Sequence, residues 1–228
     1  MSDKSFWFLE NKDLDDLFSQ TKMNGGTHVN NVVNFKKGDY VYMPEDSSDK
    51  IFFIISGKIK IGSYRENDKE VAHTILQKGD VFGELAMIGE TSRKDFAQAI
   101  EDSEIIPIKL EEVKKQMKNH SGLSILIMKM MGARVHEMEQ RLESLVFKDS
   151  RTRIIEFIIL SLEKSGQRMG YEWVLRNFIT HQDIANITAT SRQTVTMVLN
   201  ELKNENIIHF DRKRLLIRDL DRLKAEIK

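Results

Sequence analysis

The chain has 228 residues and a formal net charge of zero, with 40% hydrophobic and 31% charged residues. These values are typical of a folded globular protein, so they exclude an intrinsically disordered chain and a small scaffold that needs covalent staples. Because the sequence contains no cysteine, it also excludes cysteine-ligated iron–sulfur clusters, cysteine-ligated zinc and thiolate nucleophiles.

The hydropathy of the sequence indicates neither a membrane span nor a secretory signal. The longest apolar run, Leu123–Met131, is interrupted by Ser124 and Lys129, whereas a bilayer span needs roughly 20 apolar residues. The first residues lack the basic and apolar segments of a signal peptide. We therefore expect a cytoplasmic protein without a membrane partner.

The charge is distributed unevenly along the chain. Residues 1–150 contain 21 Lys and Arg against 25 Asp and Glu, and the remaining residues contain 14 against 10. The carboxy-terminal part is therefore modestly basic, which is compatible with contact to nucleic acid. An ordinary fluctuation in composition explains an imbalance of this size equally well.

Two kinds of structure are predicted in the amino-terminal part of the chain. Residues Asn11–Gln20 carry Leu14, Leu17 and Phe18 at helical spacing, so we predict a short leading helix. Between Val32 and Leu110 the chain instead contains short runs of β-branched and aromatic residues that end at turn residues. This pattern predicts an all-β unit against which the leading helix packs.

A recurring turn supports the all-β unit. The sequence Lys37-Gly38-Asp39 recurs as Lys78-Gly79-Asp80, and Ser56-Gly57-Lys58 forms a third glycine turn between them. Each of these turns feeds a new strand. Short strands at even spacing with glycine turns predict a double-sheet jelly roll, or β-roll.

The hydrophobic period becomes helical over Glu111–Lys118 and then over residues 121–147. Apolar residues recur along one face of the longer helix at spacings of 4, 7, 4 and 3, namely Ile127, Met131, Met138, Leu142 and Leu145. So narrow a stripe favours pairing with a second copy of the same helix. The alternative is that the stripe covers the β-roll of its own chain. Arg134 and Val135 interrupt the repeat midway.

A separate helical domain with a small sheet is predicted after residue 150. Apolar residues from Ile154 to Leu162 mark a helix that ends near Gly166, and Trp173–Leu175 forms a short extended segment. Two further segments, Thr180–Asp183 and Thr190–Gln193, match a capping box and start ten residues apart. This spacing is typical of a helix-turn-helix.

A predicted hairpin follows the helix-turn-helix. Ile207–Phe210 and Leu215–Ile217 have the composition of two strands, and the basic tip between them contains Arg212 and Lys213. Such a hairpin is typical of the wing of a winged helix.

The second helix of this motif carries side chains that can read base edges. Arg192 can bind guanine and Gln193 can bind adenine through paired hydrogen bonds in the major groove. Ser191 and Thr196 suit contacts to phosphate, as does Thr180 at the start of the first helix. We therefore predict that the domain binds double-stranded DNA. The alternative is a winged helix used only for protein contact.

The order of β-roll, long helix and winged helix closely resembles the Crp/Fnr superfamily of bacterial transcription regulators. The resemblance rests on Gly83-Glu84-Leu85-Ala86 leading to Arg93, and on Thr180-His181-Gln182-Asp183-Ile184-Ala185 leading to Ser191-Arg192-Gln193-Thr194-Val195. It covers about residues 10–225 and implies a homodimer joined along the long helix. It also implies that each protomer offers one recognition helix to a palindromic operator, and RNA polymerase is a further expected partner.

The sequence departs from the cyclic-AMP-binding members of that superfamily. In those members the arginine is followed by serine or threonine, but here Arg93 is followed by Lys94 and Asp95. A carboxylate beside a phosphate site repels the ligand. Met138 and Glu139 also stand near the level where small hydroxyl residues receive the adenine in those members. We therefore expect that cyclic AMP does not bind.

The resemblance nevertheless marks a candidate effector pocket at Gly83, Glu84, Arg93 and Met138. For the two charged residues of this set we prefer an internal ion pair. The resemblance also bears on Met197, because many relatives carry an arginine there that reads a guanine. A thioether cannot donate that hydrogen bond, so the preferred half-site should differ from the TGTGA-like sequence of the cyclic-AMP branch.

Other sensor chemistries find little support in the sequence. His28, His73, His120 and His136 could each offer an axial ligand to haem, but an ordinary surface or core histidine is the simpler interpretation of each one. A cupin-type metal centre needs clustered histidines, and His73 is the one histidine of the roll proper. We therefore expect no metal and no cofactor, and a ligand-free regulator stays open.

The predicted architecture is α+β, with a β-roll over residues 1–120, a long central dimerisation helix over 121–147 and a winged helix-turn-helix over 148–228. The predicted function is that of a homodimeric, sequence-specific transcription regulator, either effector-responsive or ligand-independent, and not that of an enzyme. The alternative function is a cyclic-nucleotide-binding module that regulates a protein partner.

Overall fold

The structure is a computed structural model that describes residues 32–65, 69–119, 121–176, 178–211 and 214–227. The leading helix predicted at Asn11–Gln20 lies outside these ranges. The chain divides within the long helix into two compact units, one ending at Glu137 and the other starting at Met138. The three-part division at residues 120 and 147 stays a prediction. Among the described residues, no helix is long and apolar enough to cross a membrane.

The first unit is built on short strands, as the sequence predicted. They are β1 (Val33–Phe35), β2 (Tyr40–Tyr42), β3 (Lys50–Ser56), β4 (Lys58–Arg65), β5 (Lys69–Gln77), β6 (Val81–Phe82), β7 (Phe96–Ala99) and β8 (Ser103–Lys109). They form two four-stranded antiparallel sheets, with strand orders β1-β8-β3-β6 and β2-β7-β4-β5. A 3-10 turn, Glu84–Ile88, lies between β6 and β7. The predicted β-roll is confirmed.

The two predicted Gly-Asp turns share one backbone geometry. Gly38 and Gly79 have φ angles of 100° and 91°, a left-handed conformation that glycine adopts without strain. The carboxylates of Asp39 and Asp80 each accept a hydrogen bond from the backbone N–H three residues earlier, at 2.8 Å in both turns. Each turn is thereby closed locally before the next strand begins.

The core of the roll lies between the two sheets. In β4, Ile59 and Ile61 are buried because alternate side chains of a strand point to the same face. Burying one side chain of this size contributes about 1.5–3 kcal/mol. The buried residues of this core are Tyr42, Phe52, Ile54, Ile59, Ile61, Phe82, Ala97, Ala99 and Ile105.

Two helices follow the last strand of the roll, α1 (Leu110–Asn119) and α2 (Ser121–Phe147). Both match the predicted spans. A joint of two residues, Lys148 and Asp149, separates α2 from α3 (Ser150–Ser165). The carboxylate of Asp149 accepts a hydrogen bond from the backbone N–H of Thr152 at 2.7 Å and caps α3.

The second unit contains α3, the pair α4 (His181–Ile187) and α5 (Arg192–Asn204), and α6 (Leu220–Ala225). Its antiparallel sheet has the order β11-β12-β10-β9, with β9 (Gln167–Met169), β10 (Glu172–Arg176), β11 (Ile208–Phe210) and β12 (Arg214–Ile217). The predicted helix-turn-helix and wing are confirmed. The sequence prediction missed β9, whose three residues are all exposed and show no alternation, and the short helix α6.

A second hydrophobic core holds these elements together. It is formed by side chains of α3, α4, α5 and the sheet, including Ile154, Ile155, Ile158, Leu162, Ile184, Val195, Leu199, Leu202, Leu215 and Ile217. Ala185, a small residue of α4, is also fully buried. Because the buried face of α5 lies in this core, its opposite face is directed to solvent.

Candidate DNA-reading surface, dimer face and β-roll centre

Two side-chain caps begin the helices of the helix-turn-helix. Thr180 precedes α4, and its hydroxyl accepts a hydrogen bond from the backbone N–H of Asp183 at 3.1 Å. Ser191 precedes α5 and accepts one from the backbone N–H of Thr194 at 3.0 Å. The predicted second capping box is therefore wrong by one residue, since Ser191 rather than Thr190 is the cap. A cap of this kind contributes about 0.5–2 kcal/mol, so both helix starts are fixed locally.

One face of α5 is exposed along its whole length. Arg192 and Gln193 lie in the first turn with exposed side chains, and Met197 is 55% exposed one turn later. Asn200 and Asn204 are also exposed and continue the face of Gln193 at helical spacing. The sequence prediction missed both asparagines, although this spacing could have found them. We call the five residues together the reading face.

The hydroxyl of Thr196, expected to contact phosphate, is engaged within the protein. It donates a hydrogen bond to the carbonyl oxygen of Arg192 at 2.9 Å and lies 3.0 Å from Nδ1 of His181. The His181 ring also packs edge-on against Phe210 of β11, with 5.7 Å between ring centres. Burial and the nearby charge of Arg192 lower the pKa of His181. His181, which sequence reasoning did not select, therefore contacts both α5 and the wing strand.

The wing is described up to the two ends of its tip. Arg212 and Lys213 lie outside the described residues. Arg214, next to them, donates through Nε to the carboxylate of Asp211 at 2.8 Å. The ammonium of Lys203, on the last turn of α5, lies 5.1 Å from the ring centre of Phe210. The wing strand and the end of α5 are therefore in direct contact.

Arg93 lies at the centre of the β-roll with only 2% of its surface exposed. Its guanidinium donates hydrogen bonds to the carbonyl oxygens of Gly83, at 3.0 Å, and Lys50. It also stacks over the rings of Tyr42 and Phe52, at 4.6 and 5.7 Å from their centres. In the described part of the chain, its Nε has no hydrogen-bond partner. Two of its nitrogens are thus committed to backbone oxygens of the roll.

Gly83 allows the guanidinium of Arg93 to lie close to the backbone. Its φ of 75° is left-handed, and a Cβ at this position would lie 2.9 Å from Nη1 of Arg93. A larger residue would therefore both strain the backbone and displace the guanidinium.

The carboxylate of Glu84 pairs with the guanidinium of Arg134 on α2. Arg134 also donates through Nη2 to the carbonyl oxygen of Val81 at 2.5 Å. The predicted ion pair between Glu84 and Arg93 is therefore wrong, because Arg134 reaches the carboxylate while Arg93 binds backbone carbonyls. Sequence reasoning noticed Arg134 only as an interruption of the apolar stripe. A single charged residue within an otherwise apolar stripe is the sequence feature that could have indicated a buried partner for Arg134.

The residues that follow Arg93 place a second carboxylate in this region. Lys94 is directed to solvent, with its ammonium 4.0 Å from the carboxylate of Glu90. Asp95 is half-buried, and burial raises its pKa, while a hydrogen bond from Tyr42 acts in the opposite direction. Burial and the neighbouring Asp95 also raise the pKa of the Tyr42 hydroxyl. A half-buried carboxyl group therefore lies close to Tyr42, one of the two rings over which Arg93 stacks.

The apolar stripe of α2 is largely exposed within the protomer, with Met138 at 67% and Leu142 at 63%. Ile127 and Met131 are half-buried. Val135 was expected to interrupt the stripe, but it is exposed and continues it, whereas Arg134 turns aside to Glu84. The resulting set alternates spacings of 3 and 4 residues: Met128, Met131, Val135, Met138, Leu142 and Leu145. We call this set the α2 stripe.

Of the four histidines considered as haem ligands, the structure describes His73 and His136. His28 and His120 lie outside the described residues, His73 bonds to the hydroxyl of Ser63 at 2.9 Å, and His136 is exposed on α2. Within the described ranges, no group of three or more His, Asp or Glu side chains is placed to hold a metal ion.

Two family models match the chain in the order in which its two units are built. A cyclic nucleotide-binding domain matches residues 32–120, and a Crp-like helix-turn-helix domain matches residues 152–226.

Two characterised relatives are similar over most of the chain. The "Global nitrogen regulator" of Synechocystis sp. is 25% identical over 188 residues, which cover 82% of this chain and 84% of that protein. The "CRP-like cAMP-activated global transcriptional regulator" of Mycobacterium tuberculosis is 25% identical over 191 residues, or 84% and 85% of the two chains.

Solved structures share the fold. A mutant of CooA from Carboxydothermus hydrogenoformans has a TM-score of 0.70 at 25% identity. The match covers 87% of this chain and 88% of the CooA chain. FixK2 from Bradyrhizobium japonicum has a TM-score of 0.74 at 16% identity, covering 86% of this chain and 96% of its own, and this likeness concerns the fold alone.

Proposed function

The chain belongs to the Crp/Fnr superfamily of bacterial transcription regulators, and we propose that it acts as a homodimer that reads a palindromic operator without a cyclic-nucleotide effector. Members of this superfamily bind DNA through their helix-turn-helix and are not enzymes. The observation that carries the proposal is the reading face, which presents Arg192, Gln193 and Met197 to solvent from a capped helix.

The chemistry of the reading face suits a major groove. Arg192 would bind guanine through two hydrogen bonds, and Gln193 would bind adenine in the same way. Met197 offers only apolar contact, as to a thymine methyl group. The backbone N–H groups at the start of α5, with Ser191 and Thr180, would bind phosphate. Arg212 and Lys213 of the wing would add phosphate contacts on the flanking backbone.

The α2 stripe supports the homodimer. Its six apolar residues follow the 3-and-4 spacing of a coiled-coil seam. A second copy of α2 would cover them, and each side chain of this kind contributes about 1.5–3 kcal/mol when it is fully buried. A twofold axis along α2 relates two reading faces, so the operator should be an inverted repeat.

The β-roll centre supports independence from a cyclic nucleotide. The carboxylate of Glu84 is neutralised by Arg134, and Arg93 already donates to two carbonyl oxygens. An incoming cyclic phosphate would have to break these contacts and would meet the Asp95 carboxylate as well. The Mycobacterium tuberculosis relative is named as cAMP-activated, and we place this chain outside that mode of control. Its activity would then depend on its abundance or on an effector of another chemical class.

The regulator would act on chromosomal DNA in the bacterial cytoplasm, where relatives of this superfamily control transcription. Bound to its operator, the dimer would contact RNA polymerase or exclude it.

Selection of bound sequences from random double-stranded DNA, followed by footprinting, tests this proposal. We expect inverted half-sites about one helical turn, roughly 34 Å, apart. The base pair opposite Met197 should not be a strict guanine, so the half-site should differ from TGTGA. Protection of a single unpaired half-site would contradict the dimer, and enrichment of TGTGA would contradict the assigned register of α5.

A further inference from the structure

Two arginines hold three consecutive carbonyl oxygens at the turn between α4 and α5. Arg141, on α2, donates through Nη2 to the carbonyl of Ile187 at 2.6 Å. Arg153, on α3, donates through Nε to Thr188 at 2.9 Å and through Nη2 to Ala189 at 3.2 Å. We call these two side chains the turn clamp.

The turn offers acceptors that need such partners. The last carbonyls of a helix lack hydrogen-bond donors within the helix, and they carry its partial negative charge. Hydrogen bonds from a cationic guanidinium to these oxygens are stronger than neutral ones. Ala189 has a φ of 48°, which is uncommon for a residue other than glycine. The clamp therefore acts where the backbone of the motif most needs support.

Arg153 also reaches the joint between α2 and α3. Its Nη1 donates to the carbonyl oxygen of Lys148 at 2.7 Å. The ammonium of Lys148 pairs in turn with Glu156 of α3 at 2.7 Å. One guanidinium thus connects the joint after α2 to the turn before α5.

Arg141 connects the same turn to the α2 stripe. Arg141 contacts the helix-turn-helix, and the next residue in the sequence, Leu142, belongs to the exposed α2 stripe. The reading face begins at Arg192, three residues beyond Ala189. Arg141 fixes Ile187 against α2, and Arg153 fixes Thr188 and Ala189 against α3. Because α5 is a continuous helix that starts just after this turn, these contacts also fix the direction of the reading face.

We propose that Arg141, acting with Arg153, is a positioning residue that sets the spacing between the two half-sites that a dimer accepts. The inference rests on the proposed dimeric reading of DNA. One base pair changes the separation of two half-sites by about 3.4 Å and their relative rotation by about 35°. A rigid link from α2 to α5 makes such a change costly, and a loosened link lets each reading face follow its half-site.

The test measures binding of operators whose spacer differs by one or two base pairs from the selected one. The variants are Arg141→Gln, Arg141→Met and Arg141→Lys, with Glu143→Gln as a control on an exposed residue of the same helix. Sedimentation and thermal unfolding establish that each protein is folded and dimeric. An isolated half-site serves as the reference for local reading.

We expect the wild type and Glu143→Gln to lose about tenfold or more in affinity for a spacer changed by one base pair, since each protomer must then be displaced and rotated. Arg141→Gln should lose less than about threefold for the same change, while its affinity for the selected spacer falls about three- to tenfold. Binding of the isolated half-site should not change. Arg141→Lys, which keeps a cationic donor, should restore part of the spacer dependence.

Should the glutamine variant not fold, Arg141→Met keeps the apolar stem and gives the comparison. A folded, dimeric variant with the spacer dependence of the wild type would overturn the inference, as would loss of folding in all three variants. If the wild type itself bound no paired half-sites, the proposed function rather than the clamp would be wrong.

Discussion

Arg134 and Glu84 are 50 positions apart in the sequence and form an ion pair that joins α2 to the 3-10 turn of the β-roll. The Glu84 side chain is 10% exposed and that of Arg134 is 36% exposed. The arginine therefore neutralises a largely buried carboxylate, which would otherwise lie in the roll without a counter-charge.

Replacing Arg134 by glutamine should destabilise the first unit by about 1–3 kcal/mol, because the Glu84 carboxylate would lose its charged partner. Replacing both residues, as Glu84→Gln with Arg134→Gln, should recover part of this loss. Urea unfolding of the four proteins of the cycle measures the coupling between the two positions. Strictly additive effects would show that the pair contributes nothing to stability.

The dimer should depend on the α2 stripe. Leu142→Glu would place a charge opposite its symmetry mate in an apolar seam, so we expect the protomers to separate. Gln140→Glu introduces the same charge at an exposed position outside the stripe and should leave the dimer intact. Sedimentation of both variants measures whether each one is a dimer or a separated protomer. A Leu142→Glu protein that remained fully dimeric would place the interface elsewhere.

Cyclic AMP should not bind to the β-roll, because Arg93 and Glu84 are both engaged within the protein. Calorimetry with the full chain should give no heat of binding, and cyclic AMP should leave operator affinity unchanged. Micromolar binding that also tightens DNA binding would instead support cyclic-nucleotide control. Binding without any effect on DNA would favour a module that serves a protein partner.

Two single variants should distinguish residues that contact bases from residues that contact phosphate. Arg192→Ala should cost about 1–3 kcal/mol per half-site and relax specificity at one base pair. Lys213→Ala should weaken all sequences alike and reduce the slope of log affinity against log salt by about one. Titrations of the selected operator and of its single-base variants at several salt concentrations distinguish the two. The assignments would be reversed if Lys213→Ala changed sequence preference.

His181 should make stability depend on pH. Burial and Arg192 lower its pKa below the usual value of about 6.5. Between the folded and unfolded pKa values the unfolded chain binds more protons at this position, so the free energy of unfolding rises with pH. The contribution is fully present above about pH 6.5 and is lost as the pH falls through this window.

Urea unfolding at about pH 5 and about pH 8 measures this dependence. His181→Gln should reduce the difference in unfolding free energy between the two pH values. His73→Gln, in the β-roll, is the control and should leave the contribution of His181 in place. An unchanged difference in His181→Gln would show that this histidine does not take part.

Most of the architecture follows from local features of the sequence. The Gly-Asp turns close through hydrogen bonds to the third residue before, and the caps Thr180 and Ser191 bind the third residue after. Strand alternation and helical spacing act over equally short distances. For this reason the β-roll, the long helix and the winged helix-turn-helix could be predicted, together with the exposed Arg192 and Gln193.

Only the tertiary structure decided which polar groups pair with each other. Arg134 binds Glu84 across 50 positions, Arg141 binds Ile187 across 46, and Arg93 binds Lys50 across 43. Arginine has a long side chain with five donors, so its partner depends on which backbone or carboxylate oxygen the folded chain brings within reach. Neither the helical nor the strand period of the sequence indicates which oxygen atoms will lie within reach of a given arginine. The sequence therefore determined to within one residue where α5 begins, and also which side chains its first turn presents. The packing of distant elements decided how the roll neutralises Glu84 and what holds the turn before α5.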